Sequence, residues 1–278
     1  MIKINLARSA GFCFGVKRAI DLTLKTAANK NDIGMLGDIV HNEDVVARIN
    51  AAGIKTLHRL KKSKGKTLLI RAHGAPAKTI ERARAHGYAI IDATCPMVKE
   101  IHTIARESEK KGYTLIVIGD QKHDEVRGIV GQLKKKALVI DDPKDMPSKK
   151  IKKATIVVQS TQNIDKALKV VERLRPLIKN LKFFNTVCRP TRIKQKEIQT
   201  LPLENDIMII IGSKTSANTK RLYEISKGLN KRSYWVRSKK DIKPAWFRKA
   251  KSVGITAGAS TPDETTQEVI KYIRRTAG

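Results

Sequence analysis

Three cysteines, Cys13, Cys95 and Cys188, are the residues of this chain with the most chemistry to offer. Three thiols cannot all pair with one another. The N-terminal MIKINLARSAGFCFGV has no long apolar stretch followed by a small-residue cleavage site, so a reducing cytoplasm is expected. There, widely spaced cysteines serve a metal or a catalytic step more often than a disulfide framework. Three thiolates suit zinc with a fourth ligand, or a cubic four-iron cluster with one iron left open. The spacing does not choose between them, because it lacks the compact C-x2-C pattern of ferredoxins. Three inert core thiols are the plain alternative.

The surroundings of the cysteines repeat. Cys13 to His41, Cys95 to His123 and Cys188 to Ser216 are each a step of 28 residues. Each second residue lies in a polar loop: GDIVHNED, GDQKHDEV and GSKTSANT. Each stretch has a further polar loop: AHGAP at His73, QSTQN at Thr161 and TAGAST at Ser260. Such loops expose hydroxyls and backbone N–H groups at helix starts, which suits phosphate. His41, His73 and His123 fall in them and are expected to contact an anion. His58, His86 and His102 sit in helical or surface-like context and take no role. Glu125 follows His123 by two residues. It is either a first-turn glutamate complementing a helix dipole or a proton donor near the centre. Thr161 and Gln162 are likewise either capping residues or site groups.

The elements that must position these loops alternate. TLLIR (67–71), YAIID (88–92), YTLIVIG (113–119), ATIVVQ (154–159), DIMIIIG (206–212) and KSVGITAG (251–258) read as strands buried on both faces. Helical patterns such as 76–86, 164–178 and 262–275 follow them, the last opened by Pro262, Asp263 and Glu264. The expected fold is α/β: three similar α/β units with mostly parallel sheets, which could be arranged around a shared centre. The units are expected at 14–95, 96–187 and 188–278, with the segment 1–13 packing on the third. Functional loops then gather at the carboxyl ends of the strands. Each cysteine falls between a strand end and a helix start, where the positive end of the helix favours thiolate.

Composition narrows the classes. The 57 Lys and Arg exceed the 26 Asp and Glu by a net +31. Much of the excess lies in runs that read as solvated faces, RLKKSKGK (59–66) and SKKIKK (148–153) among them. With aromatics at 4% there is little to stack on single strands, so no specific nucleic-acid partner is expected. The longest apolar run, IMIII (207–211), is too short for a membrane.

Nine strings in order carry a resemblance: GFCFGVKRAI, VHNEDVV, RAHGAP, DATCPMV, HDEVRGI, STQN, NTVC, GSKTSANTKRL and GITAGASTPD. With them the chain resembles the 4-hydroxy-3-methylbut-2-enyl diphosphate reductase (IspH/LytB) family from residue 11 to about 275. The resemblance implies three similar α/β domains with mostly parallel sheets in pseudo-threefold arrangement around a central [4Fe–4S] cluster, and reductive removal of an allylic hydroxyl from a diphosphate substrate there. It implies Cys13, Cys95 and Cys188 as cluster ligands, and His41, His73, His123, Ser216, Asn218 and Ser260 as diphosphate contacts. Glu125 matches the acid feeding the proton relay, and Thr161 a threonine beside the substrate hydroxyl. A ferredoxin- or flavodoxin-type electron donor and a monomer are expected. Two positions depart from the family pattern: Ala217, where many members have serine, and Asn163, where many have threonine. Two rival readings are another three-cysteine cluster enzyme, such as a quinolinate-synthase-like dehydratase, and a basic nucleic-acid-binding protein with structural zinc.

Overall fold

The computed structural model describes residues 2–57, 59–63 and 65–276. His58 lies outside the described residues. The first part of the chain runs β1 (Lys3–Leu6), α1 (Phe14–Asn29), β2 (Ile33–Leu36), α2 (Glu43–Ala51), β3 (Lys55–Leu57), β4 (Thr67–Ile70), α3 (Ala77–Ala85) and β5 (Ala89–Asp92). The middle runs α4 (Pro96–Lys110), β6 (Thr114–Ile118), α5 (Asp124–Val130), β7 (Leu138–Ile140), β8 (Ile151–Val158), α6 (Ile164–Leu174) and β9 (Ile178–Phe183). The last part runs α7 (Arg189–Thr200), β10 (Ile207–Ile211), α8 (Ala217–Leu229), β11 (Ser233–Val236), β12 (Ser252–Ala257) and α9 (Asp263–Thr276).

The strands form three four-stranded sheets of one topology: β3-β2-β4-β5, β7-β6-β8-β9 and β11-β10-β12-β1. Every pairing is parallel. In the third sheet β1 occupies the edge that β5 and β9 hold in the others, so a strand from the start of the chain completes a sheet built from its end.

Two compact units emerge. One comprises Met1–Val16, His41–Val45 and Arg189–Gly278; the other comprises Lys17–Val40 and Val46–Cys188. In the first, β10 shows why the continuous run IMIII is a strand covered on both faces. Ile207, Ile209 and Ile211 pack with Val269, Ile270 and Ile273 of α9. Met208 and Ile210 pack with Ile198 of α7 and Leu222 of α8. Strand alternation delivers the two sets to opposite faces. The second unit repeats this. Ile116, Ile118, Ile156 and Val158 meet Ala167, Val171 and Leu174 of α6. Leu115, Val117 and Val157 meet Ile101 and Ala105 of α4 and Val126 and Ile129 of α5.

The helical pattern at 164–178 is shorter than its periodicity suggests. Helix α6 ends at Leu174, a 3-10 turn spans Arg175–Leu177, and Ile178 opens β9. Pro176 has no N–H to continue the ladder. Among the described residues no helix is long and apolar enough to cross a membrane.

His102, expected to be unremarkable, is buried on α4. Its imidazole fills the space beside Gly74, where a Cβ would come within 2.7 Å of Cε1. Gly74 has φ +76, so the turn needs glycine on both counts. Burial of the ring, reinforced by Arg106, pushes the His102 pKa down from 6.5 to about 4. The folded state then binds fewer protons than the unfolded one between these values, so stability is full above pH 6.5 and is lost as pH falls toward 4. Denaturant titrations across that range are expected to show His102→Gln losing roughly 3 kcal/mol less than the wild type. Parallel pH profiles for the two proteins would contradict this.

Candidate active site

Each cysteine is the residue before a helix: Cys13 precedes α1, Cys95 precedes α4 and Cys188 precedes α7. None is in a disulfide. Each cysteine N–H donates to a carbonyl just past the end of a central strand. The pairs are Cys13 to Ala259 at 3.1 Å, Cys95 to Ala72 at 2.9 Å and Cys188 to Ser160 at 3.0 Å. The backbone ladder thus runs on beyond each sheet and ends at a sulfur-bearing residue beside a helix N-terminus. That end of a helix favours negative charge.

The residue after each accepting carbonyl is Ser260, His73 or Thr161. All three occupy the third position of a β-turn closed by the same backbone bond: Gly74 N–H to Arg71 C=O, Gln162 to Gln159, and Thr261 to Gly258. The second loops are also alike. His123 N–H donates to Asp120 C=O at 3.0 Å and Ser216 N–H to Ser213 C=O at 3.2 Å. His123 and Ser216 are both N-caps, accepting from the N–H groups of Glu125 and Thr219. In the first repeat Asn42 takes that capping role toward Val45, leaving His41 one residue outside the helix.

In the second compact unit the structure brings His73, His123, Glu125 and Thr161 onto adjoining loops. The rings of His73 and His123 meet edge to face with centroids 5.3 Å apart. His123 Nδ1 accepts the Glu125 N–H at 3.1 Å, which places the ring proton on Nε2 and makes that nitrogen a donor. Arg71 joins the two loops through an ion pair to Asp124 at 2.6 Å. Glu125 is 1% exposed. Its carboxylate accepts the Ser160 N–H at 2.6 Å and the Ser160 hydroxyl at 2.7 Å. Loss of water outweighs these two hydrogen bonds and holds the Glu125 pKa above the usual carboxylate range.

The hydroxyl that meets Glu125 is therefore that of Ser160, one residue before Thr161. Thr161 Oγ1 instead accepts from Gln159 Nε2 at 3.2 Å. Gln162 is buried in the same turn. Asn163 caps α6, accepting the Lys166 N–H at 2.9 Å, so its departure from threonine falls on a structural position.

In the first compact unit the Ser260 hydroxyl donates to the His41 carbonyl at 3.0 Å. Ser216 and Asn218 open α8, with Ala217 its first residue. Asn218 is buried, and its Nδ2 has no hydrogen-bond partner among the described residues. A buried amide donor without an acceptor is costly, and a bound anion oxygen would satisfy it. Cys13 belongs to this unit, Cys95 and Cys188 to the other.

Sequence reading missed Ser160, Arg71 and Asp124. All three lie inside the strings STQN, RAHGAP and HDEVRGI, within two residues of Thr161, His73 and Glu125 respectively. Side-chain direction, which no spacing reveals, gives them their partners.

Three parallel sheets with cysteines at helix starts and hydroxyl, imidazole and amide groups on strand-end turns define an α/β protein whose strand-end loops carry its thiols and polar groups. The family model for LytB protein matches residues 4–274, and the chain belongs to that family. It is 40% identical to the 4-hydroxy-3-methylbut-2-enyl diphosphate reductase of Aquifex aeolicus, over 99% of this chain and 96% of that protein. The reductase of Geobacter metallireducens is 38% identical over 98% and 97%. A solved structure of (E)-4-hydroxy-3-methyl-but-2-enyl diphosphate reductase, described as the terminal enzyme of the non-mevalonate pathway, matches with TM-score 0.72 and 38% identity, covering 99% of this chain and all of that one. The Plasmodium falciparum reductase matches with TM-score 0.91 and 26% identity, over 98% of this chain and 88% of that one.

The Arg71–Asp124 pair is mostly shielded and should couple measurably. A double-mutant cycle with Arg71→Gln and Asp124→Asn is expected to give an interaction of about 1–2 kcal/mol in urea unfolding. Strict additivity would show that the pair does not hold the two histidine loops together.

Proposed function

We propose that this chain reduces (E)-4-hydroxy-3-methylbut-2-enyl diphosphate to isopentenyl and dimethylallyl diphosphate, the last step of the non-mevalonate isoprenoid route. Two electrons and two protons are consumed and water leaves. The observation that carries the reading is the buried Glu125, kept proton-rich by its surroundings and bonded to Ser160, beside a cysteine delivered at a helix start. Cys13, Cys95 and Cys188 would hold a [4Fe–4S] cluster. Their donor chemistry fits: three thiols outside any disulfide, each tied by its own N–H to an equivalent carbonyl. When bound, that cluster supplies electrons and a Lewis-acidic iron for the departing hydroxyl.

The remaining steps belong to the chain's own residues. His41, His73, His123, Ser216, Asn218 and Ser260 bind the diphosphate. The Nε2–H of His123 and the buried amide of Asn218 are donors with the right sign for it. Anchoring the diphosphate fixes the distance at which the allylic hydroxyl is presented. Glu125 holds a proton at Oε1 or Oε2 and passes it through the Ser160 hydroxyl, so the hydroxyl group leaves as water rather than hydroxide. Thr161 sits at the end of the same turn and contacts the substrate hydroxyl. The units at 14–95 and 188–278 supply Cys95 and Cys188, the segment 1–13 supplies Cys13, and the unit at 96–187 supplies His123, Glu125 and Thr161 to this scheme. We place the protein in the cytoplasm as a monomer, receiving electrons from an acidic ferredoxin- or flavodoxin-type carrier drawn by its +31 charge.

Anaerobic purification followed by iron and sulfide analysis and substrate turnover with a strong reductant tests the reading. A brown, oxygen-sensitive protein that converts the diphosphate is expected. A well-folded, colourless, iron-free and inactive protein would sink it, and tight salt-sensitive RNA or DNA binding would favour the zinc alternative. Turnover of Glu125→Gln is expected to fall about 10²–10⁴-fold, the usual weight of a general acid. Its stability should move the other way. The carboxylate's raised pKa makes ionisation costly in the fold, so wild-type stability declines as pH rises past the ordinary glutamate value, and Glu125→Gln escapes that decline. Thermal melts of both proteins from pH 5 to 9 check the sign.

A further inference from the structure

Lys194, on α7, is 2% exposed. Its ammonium donates to the backbone carbonyls of Gly11 at 3.0 Å and Ala257 at 3.1 Å, and to that of Ser9. One turn further along α7, Glu197 accepts the Ser9 N–H at 3.1 Å and the Ser9 hydroxyl. All of these residues, and Cys13, lie in the same compact unit. Nothing in the proposed reaction uses Lys194 or Glu197.

The reason for a buried ammonium there lies in the cysteine tethers. Cys95 follows β5 after only Ala93 and Thr94, and the Asp92 carboxylate braces that link by accepting the Thr94 N–H at 2.9 Å. Cys188 follows β9 after residues 184–187. The Thr186 hydroxyl replaces a ladder bond there, accepting the Val158 N–H at 2.8 Å and donating to the Val158 carbonyl. Cys13 follows β1 after residues 7–12, the longest tether of the three. A longer link has more conformations to lose. Gly11 within it has φ +92, and a Cβ there would come 2.3 Å from an Asp263 carboxylate oxygen, so the link is folded tightly as well as long.

We propose that Lys194 is a positioning residue for Cys13, clamping the 9–11 link onto the end of β12 so that the thiol is delivered at a fixed place. The proposal rests on the reading of Cys13 as a cluster ligand. The three carbonyls the ammonium gathers are the two tether carbonyls ahead of Cys13 and the last carbonyl of β12. Ala259, two residues beyond that strand end, receives the Cys13 N–H. Lys194 and the cysteine amide therefore pin the same two segments together from successive points.

The test uses the full chain without cluster, under anaerobic conditions, and reads the alkylation rate of each cysteine by iodoacetamide with peptide mass spectrometry. In Lys194→Met, Cys13 is expected to react about tenfold faster, while Cys95 and Cys188 stay within about twofold of wild type. Amide exchange of residues 7–13 should rise in parallel, and Lys194→Arg, which keeps charge and donors, should recover most of the protection. In the reconstituted protein the same variant should lose iron to a chelator faster than wild type. Should Lys194→Met fail to fold, Lys194→Gln, which keeps a donor, carries the measurement. Wild-type Cys13 reactivity in a folded variant would overturn the proposal. Equal acceleration at all three cysteines would overturn it too, since that marks general loosening. If the wild type holds no cluster at all, the functional reading falls while the Cys13-selective labelling remains a separate result.

Discussion

The hydrogen bond from each cysteine amide to a carbonyl just beyond a central strand is the contact on which the arrangement of functional groups depends. It extends a parallel ladder past the last sheet residue, so the cysteine inherits the rigidity of the sheet. It also fixes what lies beside the cysteine. The accepting residue sits second in a β-turn, and the side chain at the third position, His73, Thr161 or Ser260, is set by the same few backbone bonds. One backbone device, used three times, therefore places both a thiol and an imidazole or hydroxyl group. A slip of one residue in the β4–β5, β8–β9 or β1–β12 register would move both at once and turn the strands' apolar side chains to the wrong face.

Buried ionisable groups near these turns are handled in three physically different ways. Glu125 keeps two hydrogen-bond donors from Ser160, yet burial still dominates and favours its protonated form. Lys194 directs its Nζ donors at backbone carbonyls that converge on it. His102 resolves the conflict by remaining neutral, with a ring nitrogen that makes no hydrogen bond among the described residues. Only the first of these is a carboxyl whose burial favours the protonated form. The other two spend polar chemistry on holding loops, which explains why a buried charge alone does not mark a catalytic group.

Much of this was legible in the chain itself, and the gaps have physical causes. The runs at 67–71, 113–119, 206–212 and 251–258 became β4, β6, β10 and β12, because strands covered on both faces must be continuously apolar. Of the edge strands only β5, the run at 88–92, is legible in this way. KINL of β1 and IKNLKF of β9 mix exposed with buried or half-buried residues without a regular alternation, and are too short to separate from a loop. The equal steps from cysteine to His41, His123 and Ser216 do mark equivalent loops, since each of these residues lies five positions past its strand end. They could not show that the first repeat caps its helix with Asn42 rather than His41. Nor could they show that Ser160 rather than Thr161 turns toward Glu125. Sequence distance fixes where a residue sits along the backbone, whereas these choices depend on which way a side chain points.

The repeat also explains how a near-symmetric scaffold acquires chemistry that is not symmetric. Two residues past His41, His123 and Ser216 stand Glu43, Glu125 and Asn218, each in the first turn of its helix. Glu43 is solvent-exposed and accepts the Ser213 hydroxyl at 2.9 Å, an ordinary first-turn carboxylate. Asn218 is buried and neutral, offering a donor that ionisation cannot change. Glu125 combines the carboxyl of the one with the burial of the other, and only that combination raises a carboxyl pKa. Neither the residue type nor the position makes the acid. Closure of the surrounding loops over one of three equivalent helix starts does, and that start belongs to the repeat whose turn supplies Ser160 as its hydrogen-bond donor.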